Sequence, residues 1–351
     1  MKLMDLAESF PNIEIIFHQR SIGVDFKTGE VQMRDEESGR EYSVFGQAVI
    51  ACDGAFSGIR ESLLRSPRFN FSQNFLAHGY KELTIQPTKG GDFKAYKNAL
   101  HIWPRGDFMI IALPNLDGSF TVTLFLSYET GDYNFNNLIT PKIVTEFFKK
   151  EFPDALDLMP DLVKEFFENP TAPLGTVKCF PWNYKGNSLL LGDSAHAIVP
   201  FYGQGMNASF EDVVEFDAFL DVHDGNWETT FKTFQKHRKV DTDAIADLAI
   251  DNFHEMKDHI ANPIFQEKRK IEMALEAEFP ETYHSKYSLV TFKETIGYNE
   301  AMTVGRAQDK AILSLISDQK INPKESLTDQ LKKVQEETSS ILAETTKTLK
   351  H

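Results

Sequence analysis

Hydrophobic and polar positions change period several times along this chain, and each change predicts an element. Two apolar runs, 47–51 and 189–191, are too short for helices and stop at Asp53-Gly54 and Gly192-Asp193. Both are expected to be buried strands with an aspartate at the carboxyl end. After the second run, Pro200, Gly203 and Gly205 predict a turn, and 206–220 carries helical spacing with its acids expected on the outer face. Before the first run, 1–10 has helical spacing, 13–17 predicts a strand, and 24–45 alternates as a small antiparallel meander.

From about residue 66 the alternation is strand-like and rich in aromatics. The segments 79–85, 99–103, 108–114 and 119–127 predict an antiparallel sheet. Helical spacing follows over 141–167, with Phe147, Phe148, Phe166 and Phe167 read as core, and 176–180 is expected to return the chain to the first sheet. The stretch 241–260 is helical, and its inward stripe of Ile245 and Leu248 also holds Asn252. Beyond Asp318 the chain is mostly polar, with Leu327, Leu331, Val334, Ile341 and Leu342 marking a weak amphipathic helix, so a solvated tail is expected.

The 351 residues, 41% hydrophobic and 25% charged, suffice for a large core and two domains. A net charge of −15 without a dense Lys/Arg cluster argues against nucleic acid, which needs a basic surface. Cys52 and Cys179 lie in apolar runs at no metal-ligand or disulfide spacing, which suits a reducing compartment. No secretory leader pattern and no apolar run of 18 residues is present, so a cytoplasmic setting is expected.

The turn after Asp193 carries the candidate chemistry. A helix opening near Gly205, Met206 and Asn207 favours negative charge, whether on a phosphate or on a reduced ring. From the residues alone, a strand, turn and helix with no ligand is the competing reading. The earlier run adds a second motif, Asp53-Gly54 followed by Ser57 and Arg60 at the spacing D-G-x-x-S-x-x-R. His101, Trp103 and Arg105 alternate with Leu100, Ile102 and Pro104 as a strand would, and they and His196 are read as structural.

The two motifs, in this order, resemble those of the flavin-dependent aromatic-ring monooxygenases of the para-hydroxybenzoate hydroxylase type. Pro67-Arg68-Phe69, His78-Gly79-Tyr80, Leu83-Thr84-Ile85, the segment from Leu100 to Arg105 and that from Ala195 to Asn207 narrow the resemblance to the kynurenine 3-monooxygenases, up to about residue 305. The resemblance implies an α/β fold: a para-hydroxybenzoate-hydroxylase-like FAD-binding domain, an antiparallel-sheet substrate domain and a helical C-terminal region. The expected division is 1–65 and 176–240 for FAD, 66–175 for the substrate sheet, 241–317 closing the pocket, and 318–351 as tail. No G-x-G-x-x-G occurs. The family carries it on its first βαβ unit, so that unit, with an arginine and a tyrosine that grip the substrate, is expected to precede Met1.

The resemblance further implies FAD as cofactor, NADPH as co-substrate, O2, and hydroxylation of L-kynurenine ortho to its aniline nitrogen. Ser21, Asp53, Gly58, Arg60, Asp193, Gly205, Met206 and Asn207 are implied at the cofactor, with Asp193 on its ribitol. Asn252 and Tyr287 are implied at the amino acid end of the substrate, beside Pro200, Phe201 and Tyr202. On its own spacing, Asn252 reads as an amide satisfied by backbone, and Tyr287 as an interface tyrosine. No catalytic side chain is assigned, because the oxygen chemistry is the flavin's. Two alternatives stay open: a hydroxylase of another aromatic substrate, and a fragment unable to hold FAD. The membrane-anchoring segments that would place a relative on the mitochondrial outer membrane have no counterpart in the polar tail.

Overall fold

The computed structural model describes residues 2–184, 186–256, 262–322 and 325–348. The chain opens with α1 (Lys2–Glu8), then the meander β1 (Gln19–Asp25), β2 (Glu30–Asp35) and β3 (Glu41–Phe45). Next come β4 (Val49–Ala51), α2 (Gly58–Leu63), and the antiparallel strands β5 (Asn70–Ile85), β6 (His101–Pro104), β7 (Met109–Pro114) and β8 (Phe120–Ser127). Helices α3 (Pro141–Glu151), α4 (Pro153–Leu156) and α5 (Leu162–Glu168) precede β9 (Ala172–Phe180), β10 (Asn183–Tyr184) and β11 (Ser188–Leu190). The rest is helical: α6 (Asp193–His196), a 3-10 turn at Pro200–Tyr202, α7 (Gly205–Val222), α8 (Trp227–His254), α9 (Pro263–Glu278), α10 (Lys286–Thr291), α11 (Tyr298–Ser317) and α12 (Leu327–Thr348).

Two compact units divide these elements. The first holds residues 1–72, 177–197 and 205–240. In it β11 pairs parallel with β4, Leu189 opposite Ile50, and antiparallel with β10. Every residue of β11 is buried, as a run of Ser-Leu-Leu between covered faces requires. Trp182, Phe231 and Phe234 fill the space against Leu189 and Leu190, and α2 adds Ile59 and Leu63. At roughly 1.5–3 kcal/mol per fully buried large apolar side chain, this cluster is the main stabilising term of the unit.

The second unit holds residues 73–176, 198–204 and 241–351. Its sheet has the order β6-β7-β8-β5-β9. The two-residue period decides which core each side chain joins. Ile110 and Ala112 face Phe147, Phe148 and Phe152 of the α3–α4 segment, while Met109 and Ile111 join Phe125, Phe201 and Phe253 in a separate cluster. Both faces are covered, so 109–112 reads as a continuous apolar run that periodicity alone would not resolve. Ser285 caps α10 by accepting from the Ser288 amide, and Asn262 caps α9 ahead of Pro263.

Four expectations need correction. Residues 13–17 are not a strand: no ladder forms there, and Ile13, Ile16 and Phe17 are exposed. Phe167 is 46% exposed, unlike Phe166, because adjacent helical residues point to different faces. The segment 176–180 ends β9, which pairs with β5 and not within the β4–β11 sheet, although 177–180 do fall in the first unit, where Cys179 shares a core cluster with Leu189 and Leu190. The region after Asp318 is no solvated tail either, since Ile321, Leu331 and Val334 pack with Ile271, Leu275, Ile312 and Leu315. Leu331 and Val334 share one face of α12, enough to dock it on α9 and α11.

That docking makes a test. Val334, 1% exposed, should not accept a charge: Val334→Asp is expected to cost about 3 kcal/mol or more, whereas Lys332→Gln on the outer face should stay within about 0.5 kcal/mol. Thermal unfolding followed by circular dichroism checks both values, and equal melting temperatures for the two variants would return the segment to a solvated tail.

Candidate cofactor and substrate sites

In the first unit the two glycine-aspartate motifs lie at the carboxyl ends of neighbouring parallel strands, where ligands of α/β sheets bind. Ser194 joins them, its hydroxyl donating to the Ala51 carbonyl at 2.6 Å. Arg60 is the second strap. Its guanidinium donates to the carbonyls of Ser194 (2.7 Å for one nitrogen) and Ala55, lies over the Phe71 ring, and is 4% exposed. Asp53 is exposed and accepts from Ser21 Oγ and from the Ile59 amide, each at 3.2 Å. Gly58 makes this meeting of β1 and α2 possible, because a Cβ there would stand 2.8 Å from the Ser21 carbonyl oxygen.

Gly192 has φ 62°, a left-handed conformation that leaves Asp193 exposed at the strand end. Behind the turn stands Asp212, one of the α7 acids expected on the outer face and in fact fully buried. Its carboxylate accepts from the Gly192 amide (3.0 Å), pairs with His196 Nε2, and takes Arg238 Nε at 2.7 Å. Arg238 continues to the Ala208 carbonyl, Glu211 and Glu215. Burial alone would push the Asp212 carboxyl up; the hydrogen bonds and charges of His196 and Arg238 outweigh it and hold the group below its ordinary value. Helical periodicity could not reveal this, since Glu211, Asp212 and Glu215 are alike in sequence.

The donors and acceptors suit the group the motifs imply. Two exposed carboxylates at the sheet edge are acceptors for the hydroxyls of a sugar chain. The 18-residue α7, with exposed Met206 and Asn207 after Gly205, begins where negative charge is favoured.

The second unit gathers the residues implied at the substrate. Asn252 Nδ2 donates to the Phe201 carbonyl at 2.7 Å, so one amide proton is used in bracing the 3-10 turn. The Phe201 ring packs between Phe125 and Phe253, while Pro200 is exposed. Tyr202 is buried and stacks on Tyr287 with ring centroids 5.8 Å apart and planes at 19°. Burial pushes the Tyr202 phenol far up, with Lys286 pulling it down. Lys286, the residue before Tyr287, is ion-paired with Glu255 and with Asp309 Oδ2 at 2.6 Å. Asp309 also holds Lys268 at 2.7 Å, which reaches Glu272 at 3.0 Å. The sequence offered no signal for this chain of charges.

His101, Trp103 and Arg105 are engaged with their surroundings: His101 with the Tyr96 carbonyl, Trp103 with Asp154, and Arg105 with the Glu151 carbonyl. Among the described residues no group of three or more potential ligands could hold a metal ion, and no helix is long and apolar enough to cross a membrane.

Two outcomes follow. Asp193→Ala should leave the fold intact and weaken FAD binding about ten- to a hundredfold, the value of a lost charge-assisted hydrogen bond of roughly 1.5–3 kcal/mol; flavin retained through dialysis would remove the assignment. For Asp212, a folded pKa below the unfolded value means stability that is present above about pH 4 and lost as pH falls through the folded value. Asp212→Asn should therefore melt lower than the parent at pH 7, with the difference shrinking on acidification below about pH 4.

The FAD binding domain family matches residues 2–222. A kynurenine 3-monooxygenase of Dictyostelium discoideum is 44% identical over 327 residues, covering 90% of this chain and 70% of the relative. That of Myxococcus xanthus is 46% identical over 313 residues, with 89% and 67% covered, and that of Sus scrofa 39% over 312 residues, with 88% and 65% covered. The chain thus spans about two thirds of the length of these relatives. Among solved structures, the tetrameric form of 2-methyl-3-hydroxypyridine-5-carboxylic acid oxygenase aligns at TM-score 0.56 and 18% identity, over 72% of this chain and 65% of that one. The 2,6-dihydroxypyridine-3-hydroxylase of Arthrobacter nicotinovorans aligns at TM-score 0.53 and 14% identity, over 74% and 70%. These last two likenesses concern the fold alone. With about four residues in ten shared across nine tenths of its length, the chain belongs to the kynurenine 3-monooxygenase family.

Proposed function

We propose that this chain is an FAD-dependent monooxygenase that converts L-kynurenine to 3-hydroxykynurenine with NADPH and O2, in tryptophan degradation and the quinolinate route to NAD. FAD, when bound, supplies the redox and oxygen chemistry that side chains lack. The residues of this chain bind and orient. In this reading Asp193 takes the ribitol hydroxyls, and Ser21, Asp53, Gly58 and Arg60 shape the face toward the pyrophosphate and NADPH. The α7 start at Gly205, Met206 and Asn207 favours the negative charge of a reduced ring by about 1 kcal/mol in a partly buried site. Asn252 and Tyr287 take the amino acid end of the substrate, and Pro200, Phe201 and Tyr202 wall its ring.

The observation that carries this reading is the contact between the segments implied at the substrate: Asn252 on the Phe201 carbonyl, and Tyr287 stacked on Tyr202. Residues 51 and 85 positions apart in sequence meet in one place, each through a different neighbour of the same 3-10 turn. Cys52 is exposed and Cys179 is buried with its thiol donating to the Ala195 carbonyl, and two cysteines so placed suit a reducing cytoplasm.

Asn252→Ala and Tyr287→Phe are expected to weaken L-kynurenine binding at least about tenfold each while leaving flavin content unchanged, as measured by calorimetric titration and by flavin absorbance. Both variants binding kynurenine as tightly as the parent would reduce the assignment to a hydroxylase of some other aromatic.

A further inference from the structure

Six residues are too few for a helix to hold its own shape in water, so α10 takes its form and its place from what it touches. Its first residue is the contact that matters. Lys286 follows the Ser285 cap directly and is 5% exposed, at the end of a helix where the aligned peptide dipoles disfavour a cation. A lysine so placed needs carboxylates. Asp309 of α11 supplies one at 2.6 Å, and Glu255, just past the end of α8, supplies another.

These charges leave nothing over for a ligand, because Lys268, Arg269 and Lys286 answer Glu255, Glu272 and Asp309 one for one. What they supply is placement. One turn before Asp309 on the same face of α11 stands Gly305, where a Cβ would lie 2.6 Å from Lys286 Cγ, 2.8 Å from its Cβ and 3.0 Å from its Cα. Those atoms are the root of the side chain and cannot swing aside. Gly305 thus admits the backbone of α10 against α11, and Asp309 takes its charge, while Ser285 is held separately by its amide and hydroxyl donating to Glu276 Oε1 at 2.8 and 3.1 Å. Tyr287 is the next residue, so its backbone is fixed with that of Lys286.

We propose that Asp309 and Gly305 are positioning residues for substrate binding: they seat Lys286 at the start of α10 and so hold the Tyr287 phenol where it meets the substrate. The proposal rests on the reading of Tyr287 given above. A double-mutant cycle tests it, with L-kynurenine titrated calorimetrically into the parent, Asp309→Asn, Tyr287→Phe and the two combined, and with flavin content and melting temperature as controls for folding. Asp309→Asn should weaken binding about tenfold in the parent and less than about twofold once residue 287 lacks its hydroxyl, since a displaced phenol and an absent one cost alike. Gly305→Ala carries the same cycle without removing a charge, and it decides the matter should Asp309→Asn fail to fold. Additive losses, or folded variants at 305 and 309 that bind as the parent does, would overturn the positioning role while leaving Tyr287 at the substrate. A Tyr287→Phe variant that binds L-kynurenine as tightly as the parent would instead overturn the reading of Tyr287, and this proposal with it.

Discussion

A carboxylate without water must find its hydrogen bonds inside the protein, and Asp212 finds them in three separate places. One partner is the Gly192 amide in the turn, one the His196 ring in α6, one the Arg238 guanidinium in α8. The strand β11 thus cannot end in another conformation, and α7 cannot rotate, without leaving a buried charge unpaired at a cost of about 3–5 kcal/mol. Gly192 supplies the backbone freedom and Asp212 removes the choice. The position of Asp193 follows from both.

Buried ion pairs of this sort add little net stability, because desolvation consumes most of the Coulomb attraction. What they add is a single geometry. The second unit repeats the device around Asp309, which accepts from lysines on α9 and α10 and so fixes the register of two helices against α11. Desolvation would pull Lys286 down, yet the charges of Asp309 and Glu255 prevail and raise it above its ordinary value. Apolar packing such as Phe201 between Phe125 and Phe253 supplies the free energy, and the charges choose among the arrangements that packing would tolerate.

Strand ends and glycine turns were legible because they are local. The run ending in Gly192-Asp193 announces a buried strand, as β11 is, whereas the run ending in Asp53-Gly54 forms β4 but leaves Ile50 39% exposed, against the expectation of a buried strand. The facts that escaped depend on partners distant in sequence. Nothing near Asp212 distinguishes it from Glu211 until Arg238 arrives from the next helix. The α12 face was too sparse in apolar residues to outweigh its polarity, though Leu331 and Val334 needed only the α9–α11 groove to be buried. For 13–17 the error ran the other way: β-favouring residues formed no strand because none of the described strands pairs with them. Asn252 matches the reading its spacing gave, an amide satisfied within the helix packing, its Nδ2 donating to the Phe201 carbonyl and to Met256 Sδ.

The distribution of these residues over the fold has a consequence for how such a scaffold diversifies. At 14–18% identity the pyridine-ring hydroxylases keep the fold, since the two-residue period of β5 to β8 and the short runs of β4 and β11 can be met by many apolar sequences. The polar residues gathered in the second unit lie outside those strands, on a 3-10 turn, the end of α8 and the six-residue α10. A change at Asn252 or Tyr287 alters the polar groups of this region without touching a ladder hydrogen bond. The converse does not hold for Lys286, whose stem rests on the Gly305 backbone, so a larger residue at 305 would move α10 and with it Tyr287. The network is therefore open to change at its exposed end, Arg269, and constrained at its buried centre.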